Sequence, residues 1–125
     1  FRCVLFRSLK NTKETLSIHG FSGDDPIVYI GGKDKEMSHS ITKELRKKDF
    51  TVKESPNKID AKSSDNIANK NESNSGVQLE LTTALRKQFF KHYKLDRHTR
   101  SDSDKYTKDF YKFANAVQKG IEKVN

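Results

Sequence analysis

At 125 residues the chain is at most one domain, and with 32% apolar and 34% charged residues its core is thin for that length. No run of about 18 apolar residues occurs, so the sequence encodes no hydrophobic membrane-spanning helix. The net charge of +8 favours polyanionic partners (nucleic acid, anionic lipid or an acidic polymer) without choosing among them, and lysines spread for solubility explain it equally well. A single cysteine, Cys3, says nothing about redox compartment.

The chain opens on Phe1-Arg2-Cys3-Val4-Leu5-Phe6-Arg7-Ser8, without a Met, and this peptide resembles a translated sequencing adapter. On that reading residues 1–8 are a leader that carries no fold information and makes no native strand pairing. The domain then runs over residues 9–125; a genuine apolar strand ending in a turn is the alternative. In Leu16-Ser17-Ile18-His19 apolar and polar residues alternate, the period of a strand, and Gly20-Phe21-Ser22-Gly23 lets the backbone leave the sheet. Gly23-Asp24-Asp25-Pro26 marks a turn. Ile27-Val28-Tyr29-Ile30 reads as a buried strand closed by Gly31-Gly32. Met37, Ile41 and Leu45 recur every four residues, which predicts an amphipathic helix over 36–48 with Lys43, Arg46 and Lys47 outward. Phe50-Thr51-Val52-Lys53-Glu54 is a further short strand.

Residues 55–75, rich in Asn, Ser, Lys and Asp, read as a loop or linker; so long a structureless stretch inside a domain is often functional. Gly76-Val77-Gln78-Leu79-Glu80-Leu81 alternates again and delivers Glu80 on the face opposite Val77, Leu79 and Leu81. Thr82 or Thr83 can cap a helix running to about Lys91, with Leu85 and Phe89 inward. Ser101-Asp102-Ser103-Asp104 offers an N-cap for a last helix whose stripe is Tyr106, Phe110, Phe113, Ala114, Val117 and Ile121. These aromatics read as core and not as a platform for stacking bases. The β-β-α-β order favours an α/β layer, with helices against a sheet.

His19 and Glu80 are the candidate chemistry, a metal ligand and a general base. Each has an ordinary alternative: a structural histidine, and a strand glutamate paired with a lysine. Arg86 could receive a substrate carboxylate through its two-pronged guanidinium, or be a solvated helix residue. Asn66 and Asn69 could orient a substrate amide or carboxylate, or simply stabilise turns. His39, His92 and His98 read as surface residues. Gly31-Gly32 is too short for a phosphate loop, and no serine sits in a nucleophile elbow.

Ser17-Ile18-His19-Gly20-Phe21-Ser22-Gly23, Asp65-Asn66-Ile67-Ala68-Asn69 and Gly76-Val77-Gln78-Leu79-Glu80-Leu81-Thr82, in this order, resemble the phage-type poly-γ-glutamate hydrolases. The resemblance runs from about Thr15 to the C-terminus and is patchy across 55–64 and 91–104. It implies a zinc enzyme with a carboxypeptidase-like α/β fold, a mixed sheet flanked by helices. It also implies His19 as third zinc ligand and Glu80 as general acid/base, with Asn66, Asn69 and Arg86 as candidates for substrate binding on their own chemistry. The implied partner is the anionic poly-γ-glutamate polymer of an extracellular capsule, with a possible phage origin and with neither membrane nor nucleic acid. The family's first His and Glu ligands precede the matching region, and residues 1–14 contain no His. The chain therefore reads as the C-terminal part of such a domain, with N-terminal strands missing and two zinc ligands absent. On that reading it is inactive alone, and its apolar faces bearing Ile18, Val28, Val77 and Leu79 are partly uncovered. The rival readings are another carboxypeptidase-like amidase acting on cell-wall or γ-glutamyl peptides, and a basic nucleic-acid-binding module.

Overall fold

The computed structural model describes residues 4–5, 16–55 and 76–124. Within them one five-stranded mixed sheet carries the fold: β1 (Val4–Leu5), β2 (Leu16–Phe21), β3 (Val28–Gly31), β4 (Val52–Glu54) and β5 (Val77–Thr82), in spatial order β1-β2-β5-β3-β4. The last strand in sequence is thus inserted between the second and the third. It runs parallel to β2 and antiparallel to β3, while β3 and β4 are parallel and joined through helix α1 (Lys35–Lys47). Val4 and Leu5 pair antiparallel with Ile18 and Ser17. Both residues fall within the adapter-like stretch, where the edge of β2 offers backbone groups to a neighbouring strand.

Strand alternation separates the sheet's two faces. Leu16, Val28, Ile30, Val52, Val77, Leu79 and Leu81 turn to one side and are buried there with Met37, Ile41 and Leu45 of α1. Helix α4 (Lys108–Glu122) packs on α1 and contributes Phe113, Ala116, Val117 and Ile121 to the same core. Val28, Val77 and Leu79 are fully buried, so the expected uncovering of these faces is not found; Ile18 alone of that group is part-exposed. Two helices over a short sheet suffice to close the core.

The helices start where polar caps allow and end where their apolar stripes run out. Asp34 accepts from the Met37 amide at 3.0 Å and starts α1. The helix after β5, α2 (Thr83–Gln88), is capped by Thr82 and stops earlier than its sequence suggests. Phe90 forms an isolated bridge with Tyr106, and the Thr107 hydroxyl donates to the Gln88 carbonyl at 2.7 Å, which ends the helix from outside. The segment beyond it holds a 3-10 turn (Lys91–Tyr93) and a short helix α3 (Arg97–Ser101). A second 3-10 turn (Ser103–Lys105), capped by Asp102, precedes α4. The α4 stripe follows the phase of Phe113, so Ala116 and Gly120 are buried where Ala114 was expected, and Tyr106 lies outside the helix.

α1 and α4 are joined by charge as well as by apolar contact. Glu44, only 3% exposed, takes Lys123 at 2.6 Å and Lys47 at 3.2 Å. The Lys123 hydrogen bond is the main cause that holds its carboxyl at about 2, against an ordinary 4.5. A carboxylate whose folded value lies below its unfolded value adds stability that is whole above pH 4.5 and is lost as pH falls towards 2. Urea midpoints measured at pH 6 and pH 3 should therefore fall apart in the wild type and move closer together in Glu44→Gln. Equal pH dependence in the two proteins would contradict this role.

Candidate active site

The second face of the sheet carries the polar residues of the same strands. His19 on β2 lies directly across from Glu80 on β5, in a parallel register that runs unbroken from Leu16↔Val77 to Phe21↔Thr82. Neighbouring strands are about 4.8 Å apart, so the two side chains rise beside each other from one face. The expectation that both strands bring this pair to one face and one end of the sheet holds. His19 stands within β2, two residues before its end, and not at the strand terminus itself.

The end of β5 is clamped so that Glu80 has a fixed base. The Thr82 side chain is buried; its hydroxyl accepts from the amides of Ile27 (3.1 Å) and Leu85 (3.2 Å) and donates to the Asp25 carbonyl at 2.7 Å. One threonine thus caps α2 and ties β5 to the turn before β3.

Two residues overlooked in the sequence complete the surroundings of Glu80. Ser55, one position beyond β4, donates its hydroxyl to Glu80 Oε1 at 2.8 Å. Tyr29 lies across from Glu80 on the other side, on β3, and meets the edge of Phe21 with ring centroids 5.3 Å apart. Glu80 is therefore flanked by an imidazole and an aromatic pair, and held by a hydroxyl. Burial lowers the His19 pKa, and the Glu80 charge partly opposes that. The neutral ring so favoured is the form that can ligate a metal or accept a proton. Among the described residues no group of three or more His, Cys, Asp or Glu is disposed to hold a metal ion.

Loss of one hydrogen bond to a charged group costs about 1.5–3 kcal/mol, so in a protein of the relatives' length that cleaves polymer, freeing Glu80 from Ser55 should lower turnover by roughly tenfold or more. Ser55→Ala should do so with little change in unfolding free energy, since Ser55 is a part-exposed residue outside the core. An unchanged rate would remove Ser55 from the site.

Arg86 is held by the chain itself. Its Nε donates to the Leu81 carbonyl at 3.1 Å and its Nη2 to the Thr83 hydroxyl at 3.2 Å. The guanidinium lies flat over Gly20, where a Cβ would meet its central carbon at 3.1 Å. Alternation turns that position to the Leu16–Ile18 side, so Arg86 sits across the sheet from Glu80 and braces the ends of β2 and β5. Burial, then the nearby Arg100, lowers its pKa. Asn66 and Asn69 lie outside the described residues. His39 is exposed on α1, and His92 and His98 are exposed as expected; His92 lines an open hollow with Lys91, Tyr93, Lys108 and Asp109 that shares no residue with the His19–Glu80 pair.

The chain thus combines a mixed sheet over helices with a histidine and a glutamate side by side on parallel strands. The chain belongs to the poly-gamma-glutamate hydrolase family, whose sequence profile matches residues 3–116. The match reaches further towards the N-terminus than the resemblance from Thr15 and includes part of the adapter-like stretch. The UPF0714 protein YmaC of Bacillus subtilis (strain 168) is 24% identical over 121 residues, 94% of this chain and 49% of YmaC. The SPbeta prophage-derived UPF0714 protein YoqZ of the same organism is 31% identical over 83 residues, 65% of this chain and 30% of YoqZ. The solved structure of a bacteriophage poly-gamma-glutamate hydrolase superposes with a TM-score of 0.83 at 26% identity, covering 93% of this chain and 55% of that one. The zinc-free apo form of YNDL shares the fold at a TM-score of 0.76 and 22% identity, covering 87% of this chain and 53% of that one. The chain thus spans about half the length of the YmaC and solved-structure chains it matches.

Proposed function

We propose that this chain is the Glu80-bearing part of a zinc-dependent hydrolase that cleaves the γ-glutamyl amide bonds of poly-γ-glutamate. The observation that carries the reading is the His19↔Glu80 register within a chain of this family. His19 would contribute one metal ligand, its ring kept neutral by burial. The remaining ligands would come from outside the described residues, and the zinc-free description of YNDL supports a metal in this fold. Zinc, when bound, supplies a Lewis acid that polarises a carbonyl and lowers the pKa of water.

The chain's own residues do the proton work. Glu80 accepts a proton from the attacking water and returns it to the leaving amine, the paired role a carboxylate takes in amide hydrolysis. Ser55 keeps one carboxylate oxygen turned to a fixed direction, so the other points to the substrate. Phe21 and Tyr29 exclude water on one flank. Asn66 and Asn69 are proposed to orient substrate carboxylates or amides. By itself the 125-residue chain is proposed to bind zinc weakly and to leave the polymer uncut, because His39, His92 and His98 are on other surfaces.

Gel filtration of poly-γ-glutamate tests this reading. A protein of the relatives' full length carrying this sequence should shorten the polymer, and a chelator should stop it. Polymer that keeps its length, or shortens equally with chelator present, would contradict the proposal.

A further inference from the structure

Four side chains of the polar face stand in one row across the sheet: His19 on β2, Glu80 on β5, Tyr29 on β3 and Lys53 on β4. At a strand spacing of about 4.8 Å, the Lys53 α-carbon is about 10 Å from that of Glu80. Lys53 is exposed, and among the described residues its ammonium makes no ion pair, whereas Lys47 and Lys123 are both committed to Glu44. A lysine stem reaches about 6 Å, so this ammonium can come within a few ångströms of the space over Tyr29.

We propose that the polymer lies across the strands, along this row, and that Lys53 receives the free carboxylate of the glutamyl unit next to the bond being cleaved. The inference rests on the polymer reading above. A γ-linked glutamyl unit puts five backbone bonds between successive amides, roughly 6 Å when extended, with one free carboxylate each. With an amide over Glu80, the neighbouring carboxylate falls above Tyr29 and Lys53. The aliphatic stem of that unit lies on the Tyr29 ring, which packs against Phe21. An exposed lysine on the polar face, two strands from the general base, thus selects an acidic side group at fixed distance from the reacting bond. A neutral polyamide would gain nothing from it.

The test is binding of fluorescent poly-γ-glutamate to the full chain at low salt, beside the same polymer with its carboxyls methyl-esterified. Lys53→Gln, which keeps the stem and loses the charge, should weaken binding of the acidic polymer about five- to tenfold. Lys53→Glu should weaken it further, and Lys53→Arg should bind as the wild type does. Lys43→Ala, on the exposed side of α1 behind the opposite face, should stay within about twofold. The esterified polymer should not distinguish wild type from Lys53→Gln. Folding of each variant is read from its circular dichroism, and the Arg and Glu variants keep the comparison intact if the Gln variant is unstable. Binding of the acidic polymer that ignores Lys53, or loses as much in Lys43→Ala, would overturn this inference alone. A wild-type chain that binds no polymer would overturn it together with the substrate reading.

Discussion

Glu80→Gln should abolish polymer cleavage while leaving metal content and fold intact. The amide keeps the size of the carboxylate and still accepts the Ser55 hydroxyl, which now reaches Glu80 Oε1 at 2.8 Å. What disappears is the proton acceptor. Positioned general bases contribute about 10²–10⁴-fold to turnover, so the loss in kcat should fall in that range with KM little changed. Unfolding free energy should move by less than about 1 kcal/mol, since Glu80 is part-exposed and outside the apolar core. Measured in a protein of the relatives' length, a variant retaining more than a tenth of the wild-type rate would exclude Glu80 as the base.

The largest structural effect is expected at Gly32. Its φ of +118° is a conformation that side chains rarely adopt, and it lies between the end of β3 and the Asp34 cap of α1. A Cβ there would run into the Gly76 carbonyl, whose oxygen already accepts from the Asp34 amide at 3.0 Å. Backbone strain of about 1–3 kcal/mol adds to a similar cost of overpacking against a main chain that cannot rotate aside. Gly32→Ala should therefore lose about 3 kcal/mol or more by urea denaturation, a large part of a small domain's stability. The shift should also loosen β5, because the clash is with the residue just before it. A loss below about 0.5 kcal/mol would mean that the β3–α1 turn is not held as described.

Much of this architecture is legible in the residues. Alternation around Ile18 and Leu79 gives β2 and β5 and puts His19 and Glu80 on polar faces; the Met37, Ile41, Leu45 repeat gives α1 within a residue at each end. The Gly31-Gly32 pair correctly closes β3. Other features depend on pairings that no local pattern contains. Tyr29, Lys53 and Ser55 become neighbours of Glu80 only because β5 slips between β2 and β3, a strand order that sequence order does not imply. The surroundings of Arg86 are hidden for a related reason: its contact is with a glycine 66 positions earlier, where an absent side chain makes room. The α4 stripe drifted because its phase was counted from Tyr106, which the bridge to Phe90 holds outside the helix.

Where zinc binds decides whether His19 and Glu80 form one metal-hydrolase centre. Crystals of a protein of the relatives' length carrying this sequence, grown with zinc and measured at its absorption edge, would locate the ion independently of any assumed chemistry. The account expects a peak about 2.0–2.1 Å from an imidazole nitrogen of His19, on the sheet face that carries Glu80. A peak at His92 or His98 with none at His19, or no bound zinc at all, would contradict it.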